Sequence, residues 1–213
     1  MKYKTFASIN VLIIGSGKVA LDFATNLTFT DYTIFIADKN TGNHSFNRFE
    51  NVQITSIEEA VPIADIIIMA TEPEDIREIA YLLGDVRRKV VIDATTHTTD
   101  NIPRASYKHF NTVNVIKAIT GSQHVIKSFL ACEYENVLHP GSKEEKKDML
   151  IAGGSKKAKA LIKILANDMG CNKCYDLGGN NSIPLLNAIT TAWQDLAARQ
   201  NILEHIASIQ SRA

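Results

Sequence analysis

The chain has 213 residues, 45% of them hydrophobic, and its 23 Lys and Arg balance 23 Asp and Glu. That length suits one large α/β domain with enough chain to bury a sizeable core. Zero net charge argues against a nucleic-acid partner, which would need a basic excess on one face. The longest apolar runs, such as Ile66 to Ala70, fall far short of a membrane span. The opening MKYKTFASIN has no apolar signal-peptide core. These features predict a cytoplasmic protein with neither a nucleic-acid nor a membrane partner. Cys132, Cys171 and Cys174 do not form a disulfide framework. Cys171 and Cys174 make a C-x-x-C pair, but it leads into a strand-like run rather than a helix start, where a dipole would lower a thiol pKa. They are read as two cysteines at a strand start, with no metal site.

Strand and helix patterns alternate along the chain. VLIIG (11–15) is an apolar strand with no polar side, as expected where both faces are covered. Val19, Ala20, Phe23, Ala24 and Leu27 then share one helical stripe. YTIFIAD (32–38) and VQITS (52–56) are the second and third strands, and Ser56 is placed to cap the turn IEEAV. ADIIIMAT (64–71) is the fourth strand, followed by the helix PEDIREIAYLL (73–83) with Pro73 in its first turn. KVVIDAT (89–95) is the fifth, and TVNVIKAI (112–119) is predicted as the sixth. The segment 121–147 is less periodic. MLIAGG (149–154) is a strand, Ser155 caps a helix faced by Ala158, Leu161, Ile162 and Leu165, and CNKCYDLGG (171–179) returns as a strand. A long helix starts at Ile183, with Leu186, Ile189, Trp193 and Leu196 on a stripe that continues to Ile202 and Ile206. The stripe is either core-facing, the simpler reading, or the seam of a homodimer.

This order predicts an α/β fold: a Rossmann-type, doubly wound, mainly parallel sheet, with a small C-terminal lobe ending in a long helix. The whole chain, 1–213, is taken as one dinucleotide-binding domain, with its core at about 8–120 and an extension at about 121–213. Such sheets bind ligands at the carboxyl ends of their strands, which brings Gly15, Asp38, Thr71 and Thr95 to one edge.

Gly15-Ser16-Gly17-Lys18-Val19-Ala20 fits the G-x-G-x-x-G/A pattern at a strand–helix junction. The first glycine turns the chain, the second admits a pyrophosphate to the backbone, and the helix start faces the anion. Asp38 follows Gly17 by 38 − 17 = 21 residues, the spacing of a ribose-binding acid. An aspartate there accepts hydrogen bonds from ribose hydroxyls and repels a 2′-phosphate, although Lys39 offers a cation beside it. The pair favours NAD over NADP. The predicted cofactor-binding set is Gly15, Ser16, Gly17, Lys18, Val19, Asp38, Lys39, Ala70, Thr71 and Thr95, with His97 on the hydroxyl-rich loop after the fifth strand as a substrate-pocket candidate.

VLIIGSGKVALDFATNL, ADIIIMATEPEDI, VVIDAT, NVIKAIT, IAGGSKKAKALIKILANDMG and IPLLNAITTAWQDLA occur in an order that resembles the NADPH-dependent deazaflavin-coenzyme reductases and the cytoplasmic reductase domain of six-transmembrane metalloreductases. The resemblance spans about residues 10–200. It implies a nicotinamide passing hydride to a flavin or deazaflavin ring in a shallow cleft, with no side-chain nucleophile and so no catalytic residue. The family's Ser-Arg stands as Asp38-Lys39 here, which supports NAD. Its Lys-Ala-Phe-Asn is matched to Lys117-Ala118-Ile119-Thr120, which adds Lys117, on a strand end, and Thr120 to the substrate pocket. The leading expectation is a pyridine-nucleotide oxidoreductase with a small-molecule acceptor. The alternatives are a non-catalytic dinucleotide sensor and, less well matched in length, a relative of pyrroline-carboxylate or ketopantoate reductases.

Overall fold

A computed structural model describes residues 9–38, 46, 49, 51–95, 111–131 and 147–210. Eight strands make one sheet in the order β3-β2-β1-β4-β5-β6-β7-β8. The first six are β1 (Asn10–Ile14), β2 (Thr33–Ala37), β3 (Val52–Ile54), β4 (Ile66–Met69), β5 (Val90–Asp93) and β6 (Val125–Ala131), and all are parallel. β7 (Lys147–Ala152) lies antiparallel to β6, and β8 (Cys171–Asp176) runs parallel to β7. The 3-2-1-4-5-6 portion is the dinucleotide-binding order, with the direction of winding reversing between β1 and β4. The segment after residue 120 continues the same sheet.

Two apolar layers sandwich the strands. On one side α1 (Lys18–Leu27) buries Ala20, Phe23, Ala24 and Leu27, and α5 (Lys156–Asp168) buries Ala158, Ile162 and Leu165. On the other lie α2 (Ile57–Ala60), α3 (Ile76–Leu83), α4 (Thr112–Thr120) and the start of α6 (Ile183–Gln210). Strands covered on both faces have no need of alternation, so Val11 to Ile14 and Ile66 to Met69 are all buried and all apolar. The predicted caps form. Ser56 and Glu59 make a reciprocal capping box, and the Ser155 hydroxyl accepts the Ala158 N–H at 3.1 Å. Pro73 opens a single tight turn before α3.

The predicted sixth strand is a helix. Thr112–Thr120 is rich in β-branched residues, which suggests a strand, but its buried positions 112, 113, 116 and 120 follow helical spacing. Asn111 caps it, accepting the Asn114 N–H at 3.0 Å, and Gly121 closes it. The true sixth strand lies in the segment that shows little periodicity. Its apolar run is broken by Lys127 and Ser128, both buried.

The Tyr32 hydroxyl donates to Asp168 at 2.5 Å, tying the entry to β2 to the end of α5. Burial first, then Asp168, pushes the Tyr32 pKa far above its ordinary value. A pKa raised by folding means that this stabilisation is complete below the unfolded value of about 10 and is lost as the pH rises from there through the folded value. Tyr32→Phe is expected to cost about 1 kcal/mol at neutral pH. In urea titrations the gap between the two proteins should narrow progressively as the pH rises above about 10; a constant gap would show that the hydroxyl does not act through its proton.

On α6, Leu186 is buried and Trp193 meets Phe129 of β6 edge-on at 6.5 Å. Leu196 is 52% exposed, so the predicted stripe leaves the core by the fourth turn. The side chains of Ile202 and Ile206 lie outside the described residues. Among the described residues, no helix is long and apolar enough to cross a membrane.

Candidate functional site

The strand–turn–helix at Gly15 is built by close packing. The Gly15 N–H donates to the Ala37 carbonyl of β2 at 2.9 Å, and the Ala70 N–H donates to the Ile14 carbonyl at 2.8 Å. Gly15 therefore sits between the ends of β2 and β4, with φ +129°, a backbone conformation that favours glycine. A Cβ there would lie 2.1 Å from the Ala70 carbonyl oxygen. Ala70, predicted as a cofactor contact, thus also acts within the fold, where its backbone sets the tightness of the turn.

Gly17 differs. Its φ is −79°, open to any residue, and a Cβ would meet nothing within 4 Å among the described residues. Packing among those residues does not require glycine here; close approach of a ligand would. Gly17 is the N-cap of α1 and has no side chain with which to cap it, and the first turn has no acidic residue. A helix start of that kind can receive an anion at its backbone N–H groups, here those of Ser16, Gly17, Lys18 and Val19. Ala20, fully buried, keeps α1 close to the sheet. Asp38 directly follows Ala37, so the turn and the acid share one corner. Thr71 lies on the other side, its methyl 3.4 Å from the built Gly15 Cβ. Its hydroxyl is buried and has no hydrogen-bond partner among the described residues. Lys39 and His97 lie outside the described residues.

Farther along the same edge is a buried ionic cluster that the sequence did not reveal. Ile14, Met69, Asp93 and Lys127 stand in register across β1, β4, β5 and β6. Asp93 is 0% and Lys127 4% exposed. The Lys127 ammonium donates to Asp93 Oδ1 at 3.0 Å and to the Thr95 carbonyl and hydroxyl oxygens, each at 2.8 Å. Asp93 also accepts the Thr95 N–H at 3.1 Å, the Thr95 hydroxyl at 2.7 Å and the Thr112 hydroxyl at the start of α4. Thr95, predicted to contact the cofactor directly, turns its N–H, carbonyl and hydroxyl inward. Ser128, the next residue of β6, has a buried hydroxyl without a partner among the described residues.

Residues 10–97 match the family described as NADP oxidoreductase, coenzyme F420-dependent. That span runs from β1 past β5 and contains the glycine turn, Asp38, Thr71 and Asp93. The rat metalloreductase STEAP3 is 24% identical over 177 residues; the match takes in 83% of this chain but only 35% of that protein, so the chain spans about a third of its length. An Arthrobacter sp. FB24 protein described as an F420-dependent NADP-reductase shares the fold with a TM-score of 0.68 at 14% identity, covering 90% of this chain and 94% of its own. Prephenate dehydrogenase from A. aeolicus, in complex with NAD+, shares it at a TM-score of 0.60 and 18% identity, over 86% and 63% of the two chains.

Two predicted substrate-pocket residues lie elsewhere in the fold. Lys117 and Thr120 are on α4, not on a strand end. The Thr120 hydroxyl donates to the Ile116 carbonyl, and the Thr120 carbonyl accepts the Val86 N–H ahead of β5. α4 begins beside Asp93 and runs back antiparallel to the strands, which carries Lys117 about 8 Å and Thr120 about 12 Å along the helix away from that end. Burial alone pulls the half-buried Lys117 ammonium below the ordinary lysine range. Lys127 lies on β6, in register with Asp93 at the end of β5. The lysine brought to the carboxyl edge is therefore Lys127.

Cys171 and Cys174 stand on β8 as thiols rather than as a disulfide. Burial pushes the Cys174 thiol up, the reverse of what a redox-active cysteine needs. No group of metal-ligating side chains occurs among the described residues.

Proposed function

We propose that this chain is a pyridine-nucleotide-dependent oxidoreductase that transfers hydride between NAD(P) and a small acceptor, a flavin or deazaflavin ring in the first instance. One contrast carries the reading: Gly15 is demanded by the fold, whereas Gly17, the N-cap of α1, is a glycine that no contact among the described residues requires. A pyrophosphate fits that start. Asp38 would hold the adenosine ribose, and Thr71 would supply the hydroxyl beside the turn. The match of residues 10–97 to an NADP oxidoreductase family supports the same cofactor class. The nicotinamide, when bound, supplies the hydride; the chain's part is to align two flat rings.

Asp38 favours NAD, because a 2′-phosphate at that corner would meet a carboxylate. Calorimetric titration with NADH and NADPH is expected to show NADH bound about tenfold more tightly, the equivalent of about 1.4 kcal/mol. Asp38→Ser should lose that preference and accept NADPH. Failure of both nucleotides to bind at millimolar concentration would end the proposal. Binding without nucleotide oxidation by FMN, FAD or a deazaflavin would return it to the non-catalytic sensor.

A further inference from the structure

A buried ion pair is a weak source of stability, because taking two charges out of water offsets most of their attraction. Asp93 and Lys127 are nonetheless buried together, and every hydrogen bond around them closes on the same few atoms. Their targets are specific. They engage all three polar groups of Thr95 and the hydroxyl of Thr112, so the chain leaves β5 and enters α4 from one fixed point. That point has a defined place relative to the glycine turn. β2, which leads into Asp38, flanks β1 on one side; β4 and β5 lie on the other. A dinucleotide with its adenosine at Asp38 and its pyrophosphate at Gly17 therefore extends its remaining half across the ends of β4 and β5, about 10 Å from β1 at ordinary strand spacing.

We infer that Asp93 and Lys127 are positioning residues for the nicotinamide ring of the cofactor, an inference that rests on the dinucleotide reading of the site. The pair holds the Thr95 backbone at the carboxyl edge with its polar atoms turned inward. The edge then meets the ring with a backbone of fixed position, the polar atoms of Thr95 being already engaged by the pair. Neither residue touches the ring; both act through Thr95.

The test separates the ring from the rest of the cofactor. NADH and ADP-ribose differ by the dihydronicotinamide ring, so the ratio of their affinities reports the part of the site that meets the ring. NADPH and 2′-phospho-ADP-ribose serve as a parallel pair. In Asp93→Asn combined with Lys127→Met, both charges are gone and the Thr95 carbonyl loses its buried donor. Calorimetry is expected to show the NADH-to-ADP-ribose affinity ratio reduced by about tenfold or more, the size of one well-placed hydrogen bond or its equivalent in ring contact, with ADP-ribose binding unchanged. Tyr32→Phe, which weakens the fold at a distant point, should leave the ratio at its wild-type value. A folded double variant with the wild-type ratio overturns the inference. If the double variant does not fold, Thr112→Val removes one hydroxyl from Asp93 and keeps the charges; a smaller fall in the ratio supports the inference and an unchanged ratio refutes it. Wild-type protein that binds ADP-ribose but gains nothing from the nicotinamide ring sinks this inference alone, whereas binding of neither compound removes the dinucleotide reading beneath it.

Discussion

Gly15→Ala is expected to disrupt the fold at the site, and Gly17→Ala to preserve the fold while weakening nucleotide binding. At Gly15 an added methyl carbon falls 2.1 Å from the Ala70 carbonyl oxygen, and the φ of +129° is itself unfavourable for alanine. Backbone lies on the other side of the clash, so no side-chain rotation relieves it. Strain and displacement together should cost about 3 kcal/mol or more. At Gly17 the φ is −79° and the methyl would enter open space, so stability should change by no more than about 0.5 kcal/mol. The same methyl would occupy the approach to the helix start, and affinity for NADH should fall by about tenfold or more. Thermal melts and calorimetry on the two variants check both halves. Equal nucleotide affinity in wild type and Gly17→Ala would show that no ligand comes close to that backbone.

The second large effect lies in the buried pair. Lys127→Met leaves the Asp93 carboxylate buried without its counter-ion, and Asp93→Asn leaves the Lys127 ammonium in the same position. Each single change should cost about 3–5 kcal/mol, which for a domain of this size is a fall in Tm of roughly ten degrees or more. The double variant should be more stable than either single, because the penalty comes mainly from the orphaned charge. Strict additivity of the two losses in denaturant titrations would mean that the charges do not interact as the 3.0 Å contact implies.

Gly15 and Lys127 also mark how far local signals reach. The strand–turn–helix at Gly15 and the acid beside it are legible because their signals are short in range. An apolar strand, a glycine at its end, a helical stripe on Ala20, Phe23, Ala24 and Leu27 and an acid 21 residues past Gly17 all lie within some thirty consecutive residues. Each part also depends on its own backbone geometry more than on distant partners. The caps at Ser56 and Ser155 are legible for the same reason.

Competing local signals defeat the reading at 112–120. Threonine, valine and isoleucine favour strands by side-chain shape, while their spacing, with Asn111 before them and Gly121 after, fits a helix. Packing of Val113 and Ile116 against the sheet decides for the helix. That displacement carried the family's lysine motif to Lys117, ten residues before the lysine that reaches the carboxyl edge.

The strand–turn–helix at Gly15, the acid at Asp38 and the alternating α/β order can all be read from the residues in line, because they depend on neighbours along the chain. Three features emerge from the packed sheet instead: β6 is Val125–Ala131, β7 runs antiparallel to it, and Lys127 is buried against Asp93, 34 residues away. A lysine in a strand reads as exposed until its partner is known, and that partner is supplied by the register between two strands that no local pattern encodes.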